Sequence, residues 1–247
     1  MCYDSDARPP IDPIDGGAFG EDLTLTSADG NRFAAFAAAS VESKSPGVVI
    51  LPDVRGLHHF YEELALRFAE NGYDAVAIDY FGRTAGVGKR DDDFPYKEHV
   101  PLTTLEGVTA DTAAAVAYLR RTDPARSVFT VGFCFGGSNS WHQAAGAHRL
   151  AGAIGFYGNP RRPPLGPIER VADFTCPVLA LMGGDDPGIP NEVVEEFRLA
   201  LEAAGVENEV VIYSDAPHSF FDRQQEKFAA ESADAWQRTL EFISSHG

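Results

Sequence analysis

The sequence predicts an α/β fold: a mostly parallel central sheet with helices on both faces and an antiparallel hairpin at its N-terminal edge. From residue 47 to the end of the chain, apolar segments of strand length alternate with helix-like segments. This is the pattern of parallel strands joined by right-handed crossovers. Residues 22–39 instead contain two strand-like segments separated by a turn, which is a hairpin signal. The 247 residues suit one sheet of this kind, and we expect a single domain over residues 1–247.

The composition excludes several classes of partner. A net charge of −17 gives a surface that repels nucleic-acid phosphates and anionic lipid headgroups. No apolar run reaches the roughly 18 residues that a membrane span needs, and the N-terminus lacks the pattern of a secretory signal. The cysteines are odd in number and widely spaced, which favours a reducing compartment: Cys2, Cys134 and Cys176. We therefore expect a cytoplasmic protein, monomeric or a small homo-oligomer, that acts on a small molecule.

The first half of the chain predicts the edge hairpin and the first parallel strands. Residues 1–20 are rich in proline and glycine, and we expect an extended surface arm there. The polar residues 84–103 are interpreted as a long loop that overhangs a site. Residue periodicity predicts strands at 22–26, 32–39, 47–51 and 74–78, and helices at 60–71 and 105–121.

The second half continues this alternation, with a second long connection at residues 158–175 that is rich in proline and arginine. Ligands of parallel sheets bind beyond the carboxyl ends of the strands, and several chemically useful residues follow such ends: Asp53, Arg83, Cys134 and the loop 183–186. The predicted strands are 128–133, 153–157, 177–182 and 209–213, and the predicted helical segments are 140–147, 191–204 and 228–245.

A cysteine stands between a predicted strand and a predicted helix, in the sequence Gly-Phe-Cys-Phe-Gly-Gly at residues 132–137. This is the nucleophile-elbow pattern of α/β-hydrolases, with sulfur in place of the more usual serine oxygen. Gly132 and Gly136 allow close backbone approach at such a turn, and a helix N-terminus favours thiolate over thiol. A lone buried cysteine is usually inert packing, but this pattern favours a catalytic nucleophile at Cys134.

A thiolate nucleophile needs a base and a group that orients the base. In α/β-hydrolases the order along the chain is nucleophile, acid, histidine. His218 follows the last predicted strand and is predicted as the base. Asp186, in the Gly-Gly-Asp-Asp-Pro turn at residues 183–187, is predicted as the orienting acid, with Asp185 as the alternative. The oxyanion donors are expected to be the amide of Phe135, at the start of the helix, and by position that of Val54.

These motifs together resemble the dienelactone hydrolase family of α/β-hydrolases. The resemblance runs from about residue 20 to the end of the chain, and three segments carry it: Gly-Phe-Cys-Phe-Gly-Gly at 132–137, Met-Gly-Gly-Asp-Asp at 182–186 and Ala-Pro-His-Ser-Phe at 216–220. It implies the α/β-hydrolase fold and a Cys-His-Asp triad. The family's Gly-Gly-x-Asp pattern falls on Asp186.

The resemblance implies two further parts of the site. The family carries an acid after the third strand that holds the thiol at rest and takes its proton when substrate arrives. Asp53 occupies that position, where well-studied members have glutamate. Those members also bind a substrate carboxylate through two arginines. Arg83 matches the first, and Arg223 lies near the second, one residue further from His218 than in those members.

The resulting expectation is hydrolysis of a small, anionic ester or enol-lactone through a thiol ester. No metal or organic cofactor is expected, and the adjacent His58 and His59 make a poor metal pair because their side chains point in different directions. Two alternatives remain open. One is a broad-specificity carboxylesterase on the same site. The other is a redox-sensing or binding protein that uses Cys134 without turnover.

Overall fold

A computed structural model describes residues 8–247 as an eight-stranded sheet with the order β1-β2-β4-β3-β5-β6-β7-β8. The first two strands form an antiparallel hairpin, and β2 also pairs antiparallel with β4. All the remaining pairs are parallel. The α/β architecture with an N-terminal antiparallel edge is therefore confirmed. The strands are β1 Ala18–Thr26, β2 Arg32–Ser40, β3 Gly47–Leu51, β4 Asp74–Ile78, β5 Val128–Phe133, β6 Gly152–Phe156, β7 Val178–Gly183 and β8 Asn208–Tyr213.

Seven α-helices connect and cover these strands in the described part of the chain. The N-terminus of the first is capped by the side chain of His58, which accepts a hydrogen bond from the Phe60 amide. The fourth is capped by Thr104, whose hydroxyl accepts from the Gly107 amide at 3.0 Å. Both caps satisfy amides that the first helical turn leaves without a partner. The helices are α1 His59–Glu70, α2 Gly82–Ala85, α3 Tyr96–His99, α4 Leu105–Leu119, α5 Phe135–Ala144, α6 Asn191–Ala203 and α7 Ala229–His246.

Helices bury the central strands on both faces. Every residue of β3, β5, β6 and β7 is buried, as expected for parallel strands between two helical layers. One core lies under α1 and α7 and includes Phe68 and Phe242. The other lies under α4, α5 and α6 and includes Trp141 and Phe197. The strand ends between these layers form a supported edge at which a site can be built.

The structure corrects two predicted boundaries and adds short helices to the two predicted long connections. The arm predicted for residues 1–20 ends earlier, because β1 begins at Ala18 and pairs with β2 along its whole length; residues 1–7 lie outside the described range. Helix α5 begins at Phe135, not at 140, because its glycines allow close packing rather than break the helix. The connection 84–103 contains α3 and a 3-10 helix, Val100–Leu102, and 158–175 contains another, Pro167–Asp173.

Ion pairs hold the connection 84–103 against the sheet. Arg90 bonds the buried Asp79 at 2.8 Å, and its backbone amide donates to the Leu57 carbonyl at 2.9 Å. Arg55 bonds Asp92 at 2.6 Å. This long segment is thus a fixed wall above the carboxyl ends of β3 and β4. Across residues 8–247, no helix has both the length and the apolarity that crossing a membrane requires.

Candidate active site

Cys134 lies at the turn between β5 and α5 in an unusual backbone conformation, with φ 54° and ψ −110°. Close backbone contacts surround this turn. A Cβ atom on Gly132 would lie 1.9 Å from the Gly136 carbonyl oxygen, and one on Gly136 would lie 1.9 Å from the Leu51 carbonyl oxygen. No other amino acid therefore fits at either position, and the sulfur is carried on a rigid, tightly packed elbow.

Cys134, His218 and Asp186 act on one another at the same site. His218 Nδ1 bonds Asp186 Oδ2 at 2.6 Å, and the Cys134 side chain is near enough to the same ring to raise its pKa. The second carboxylate oxygen of Asp186 accepts from the Gly188 amide at 2.8 Å, so the acid is held in place. Asp186 is buried whereas Asp185 is exposed. The carboxylate that reaches the histidine is thus that of Asp186, not that of the alternative Asp185.

The surroundings of His218 favour its protonated form. Burial by itself lowers the pKa of this histidine, but the hydrogen bonds to Asp186 and Cys134, together with their charges, raise it to about 10. A positive imidazolium between a carboxylate and a sulfur is the arrangement that stabilises a thiolate. The geometry can therefore supply both a nucleophile and a proton donor.

Asp53 follows β3 and is fully buried. Its Oδ1 accepts from the Arg55 amide at 2.9 Å, and its own amide donates to the Tyr61 hydroxyl at 2.9 Å. The buried Tyr80 links this residue to the elbow: burial raises the pKa of Tyr80 well above its usual value, and the charges of Asp53 and Cys134 act in the same direction. Asp53 and Cys134 therefore share one electrostatic environment.

The two predicted oxyanion donors flank the same strand ends. Phe135 is the first residue of α5, and the first amides of a helix have no partner within the helix. Its ring packs edge-on against Tyr80, with 5.2 Å between ring centroids. Val54 is half-buried and packs against the core cluster that contains Phe135. Both residues lie where strands β3 and β5 end.

The two predicted substrate-binding arginines lie in different surroundings. Arg83 bonds Asp29 at 2.5 Å and Asp111 at 2.8 Å, so two carboxylates already compensate its charge. Arg223 is exposed. The structure thus brings Cys134, His218 and Asp186 into contact, but it does not join either arginine to them by an ion pair or a hydrogen bond.

Comparison with known proteins shows the family to which the chain belongs. The model of the dienelactone hydrolase family matches residues 33–247. The chain belongs to this family. A protein of Salmonella typhimurium, provisionally named a carboxymethylenebutenolidase, is 32% identical over 94% of this chain and 89% of its own length. The carboxymethylenebutenolidase of Rhodococcus opacus is 29% identical over 85% of this chain and 84% of its own.

A solved structure gives the same result for the fold. The crystal structure of a protein from Klebsiella pneumoniae, provisionally named a dienelactone hydrolase, superposes with a TM-score of 0.81 and 28% identity. The superposition covers 92% of this chain and 98% of the Klebsiella pneumoniae chain. This member of the dienelactone hydrolase family is therefore a hydrolase with the α/β-hydrolase fold.

Two residues at the site of this dienelactone hydrolase family member are not predicted from the sequence. Tyr157, directly after β6, has a positive φ of 38°. Its ring centroid lies 5.0 Å from that of His218, and its hydroxyl donates to Asp222 Oδ2 at 2.7 Å. Arg162, in the connection 158–175, extends its guanidinium over the Phe135 ring, at 4.0 Å from the centroid.

The proline- and arginine-rich composition of that connection is the one sequence signal for Arg162. Nothing in its spacing distinguishes it from its neighbour Arg161, which is exposed and bonds Glu196 at 2.6 Å. No signal points to Tyr157, which directly follows a buried strand like many core aromatics. Among residues 8–247, no three His, Cys, Asp or Glu side chains are grouped as ligands for a metal ion.

Proposed function

We propose that this protein hydrolyses a small, anionic ester or enol-lactone, with Cys134 as nucleophile, His218 as general base and acid, and Asp186 as the residue that orients His218. The observation that carries the proposal is the hydrogen bond between His218 and Asp186, on a ring whose pKa the neighbouring Cys134 also raises. The substrate class comes from the relatives, because the name of the Rhodococcus opacus protein describes a lactone that bears a carboxymethylene group.

The first half of the proposed reaction forms a thiol ester. The Cys134 sulfur attacks the carbonyl carbon, and the amides of Phe135 and Val54 donate to the oxyanion that develops. When the tetrahedral intermediate collapses, the bond to the leaving oxygen breaks and His218 gives that oxygen its proton. An enolate leaving group suits a thiolate nucleophile, because it departs more readily than a simple alkoxide.

The second half releases the product. His218, now neutral, takes a proton from water, and the hydroxide oxygen attacks the thiol ester. The carbon–sulfur bond breaks, the acid is released, and the thiolate and imidazolium are regenerated. Between turnovers, Asp53 is proposed to return a proton to the sulfur and so hold the resting thiol, and to take that proton back when the next substrate arrives; its full burial and its shared environment with Cys134 support this role.

The setting we propose is a reducing one. Catalysis needs a free thiol, and Cys134 and Cys176 are both free. The net charge of −17 argues against nucleic acid as a partner. A monomer or a small homo-oligomer would serve this reaction equally.

Replacing the nucleophile tests the proposal. Cys134→Ala should lower the kcat for para-nitrophenyl valerate by on the order of a thousandfold or more, because the covalent route is lost. The matched control is Cys176→Ala, since burial raises the pKa of Cys176 to about 12 and keeps it an inert thiol. Mass spectrometry of the quenched wild-type enzyme should show the acyl group on Cys134. Full activity in Cys134→Ala would overturn the assignment.

A further inference from the structure

A cavity of about 130 Å³ lies next to the elbow, on the side of α5 that faces the connection 158–175. The start of α4 closes it from the opposite side. No aspartate or glutamate stands among its lining residues, although the chain has 37 of them. The residues that matter here are Thr104, Phe135, Asn139, His142 and Arg162.

Arg162 is the cation of this cavity. It is half-buried, and burial lowers its pKa. Among residues 8–247, no carboxylate lies within ion-pair distance of its guanidinium, whereas Arg83 has two such partners and Arg161 has one. A partly desolvated guanidinium without a counter-ion is unfavourable until an anion reaches it.

Asn139 adds a hydrogen-bond donor to the same wall. The residue is 6% exposed, and its side-chain nitrogen has no hydrogen-bond partner among the described residues. A buried amide nitrogen without an acceptor is uncommon, since most buried polar groups are paired. Among residues 8–247, a guanidinium without a carboxylate partner and an amide nitrogen without an acceptor therefore stand in the wall of one cavity.

The connection that carries Arg162 is fixed to α5. The Ser138 hydroxyl donates to the Asn159 carbonyl at 2.9 Å, and His142 Nε2 bonds the Leu165 carbonyl at 3.1 Å. Burial lowers the pKa of His142 to about 4, helped by the charge of Arg170, so its ring is neutral at pH 7 and donates this hydrogen bond. Arg162 is thus held over Phe135 by a rigid support.

Arg162 also lies close enough to the nucleophile to act on the same substrate. Its guanidinium packs on the ring of Phe135, the residue directly after Cys134. The charge of Cys134 raises the pKa of Arg162 against the effect of burial, which is the sign expected for an arginine near the sulfur.

We propose that Arg162, with Asn139 beside it, receives the carboxylate of an anionic ester or lactone whose carbonyl group Cys134 attacks. This inference rests on the proposed function. Arginine suits the role because its planar guanidinium binds a carboxylate through two parallel hydrogen bonds. Arg83, matched from the sequence, already has two carboxylate partners, so our proposal assigns this part to Arg162 instead.

A pair of esters that differ in one carboxylate tests the assignment. Mono-para-nitrophenyl glutarate is anionic, and para-nitrophenyl valerate is neutral with the same acyl chain length. The wild-type enzyme should prefer the glutarate ester. Arg162→Met should lower kcat/KM for this ester by on the order of tenfold to a hundredfold, with little change for the valerate ester. Arg162→Lys should recover part of the loss. Free glutarate should inhibit hydrolysis of the valerate ester less strongly in Arg162→Met and in Arg162→Lys than in the wild type.

Arg161→Met is the matched control, because this neighbour is exposed and already paired with Glu196; it should leave kcat/KM for both esters unchanged.

A wild-type enzyme with no preference for the anionic ester would overturn the proposal. So would an Arg162→Met enzyme that keeps the preference, or a selective loss in Arg83→Met instead. The proposal would also be overturned if Arg162→Met hydrolysed both esters more slowly by the same factor and shifted the pH profile for alkylation of Cys134 by iodoacetamide. That result would mean that Arg162 acts on the Cys134 sulfur and not on the substrate carboxylate. Failure of the proposed function can be told apart from failure of this proposal, because it would appear as full activity in Cys134→Ala.

Discussion

At the scale of single residues, three neighbours determine the charge and the orientation of the His218 ring. Asp186 and Cys134 raise its pKa through hydrogen bonds and charge, and Tyr157 packs against its ring. The hydroxyl of Tyr157 is in turn held by the buried Asp222. The ring is thus fixed in orientation by one set of contacts and in charge by another.

Asp186→Asn should separate these two effects. The amide keeps the shape of the carboxylate but loses its charge, so the pKa of His218 should fall from about 10, and kcat should drop by on the order of a hundredfold or more. Titration of the His218 ring by NMR measures the first effect and steady-state kinetics the second. Asp185→Asn is the control, since Asp185 is exposed. An unchanged His218 pKa in Asp186→Asn would contradict the role of this acid.

At the scale of elements, the long connections decide the shape of the site. The connection 84–103 is held by the ion pair of Arg90 with Asp79, whose side chains are 8% and 0% exposed. Burial raises the pKa of Asp79, and the hydrogen bond from Arg90 opposes this effect. The connection 158–175 is fixed to α5 and carries Arg162. Neither connection is a free lid.

Arg90→Ala should destabilise the protein by about 3–5 kcal/mol, because it leaves a buried carboxylate without its cation. The free energy of unfolding in urea measures this change. A suitable control is Arg198→Ala, which removes an exposed pair with Glu195 on α6 and should change the free energy of unfolding far less, because water and salt screen an exposed ion pair. Equal effects of the two substitutions would contradict the structural role of Arg90.

The sequence predicted most elements because periodicity is strong where strands are buried and helices are amphipathic. Boundaries were wrong where glycine has a packing role: Gly136 and Gly137 belong to α5, although glycine usually weakens a helix. Cys134, Asp186 and His218 could be predicted as candidates because their order along the chain follows the order of the strands. Arg162 could not be predicted from the sequence, since the Phe135 ring that it packs on lies on a distant segment and no periodicity connects the two residues.

At the scale of the whole molecule, buried histidines make stability depend on pH. Burial lowers the pKa of His142 from 6.5 to about 4, and that of His58 falls to about 4 for the same main reason. Between pH 6.5 and about pH 4, these histidines therefore bind protons in the unfolded chain but not in the folded chain. The free energy of unfolding therefore decreases as the pH falls from 6.5 towards 4.

His142→Gln should flatten this dependence. Each pKa unit of difference corresponds to about 1.4 kcal/mol, so His142 contributes up to about 3 kcal/mol to the loss of stability in acid. Urea unfolding at a series of pH values gives the slope for each variant. His59→Gln serves as control, because its side chain is 47% exposed. The same slope in His142→Gln as in the wild type would contradict the assignment.

The packing of the elbow has a consequence for protein engineering. Gly132 and Gly136 accept no side chain, so random substitution at the elbow will yield inactive or unfolded protein rather than new specificity. Pro163, Pro164 and Leu165 are exposed at the rim of the cavity. Libraries aimed at these rim residues would vary the substrate range while the machinery for attack stays unchanged.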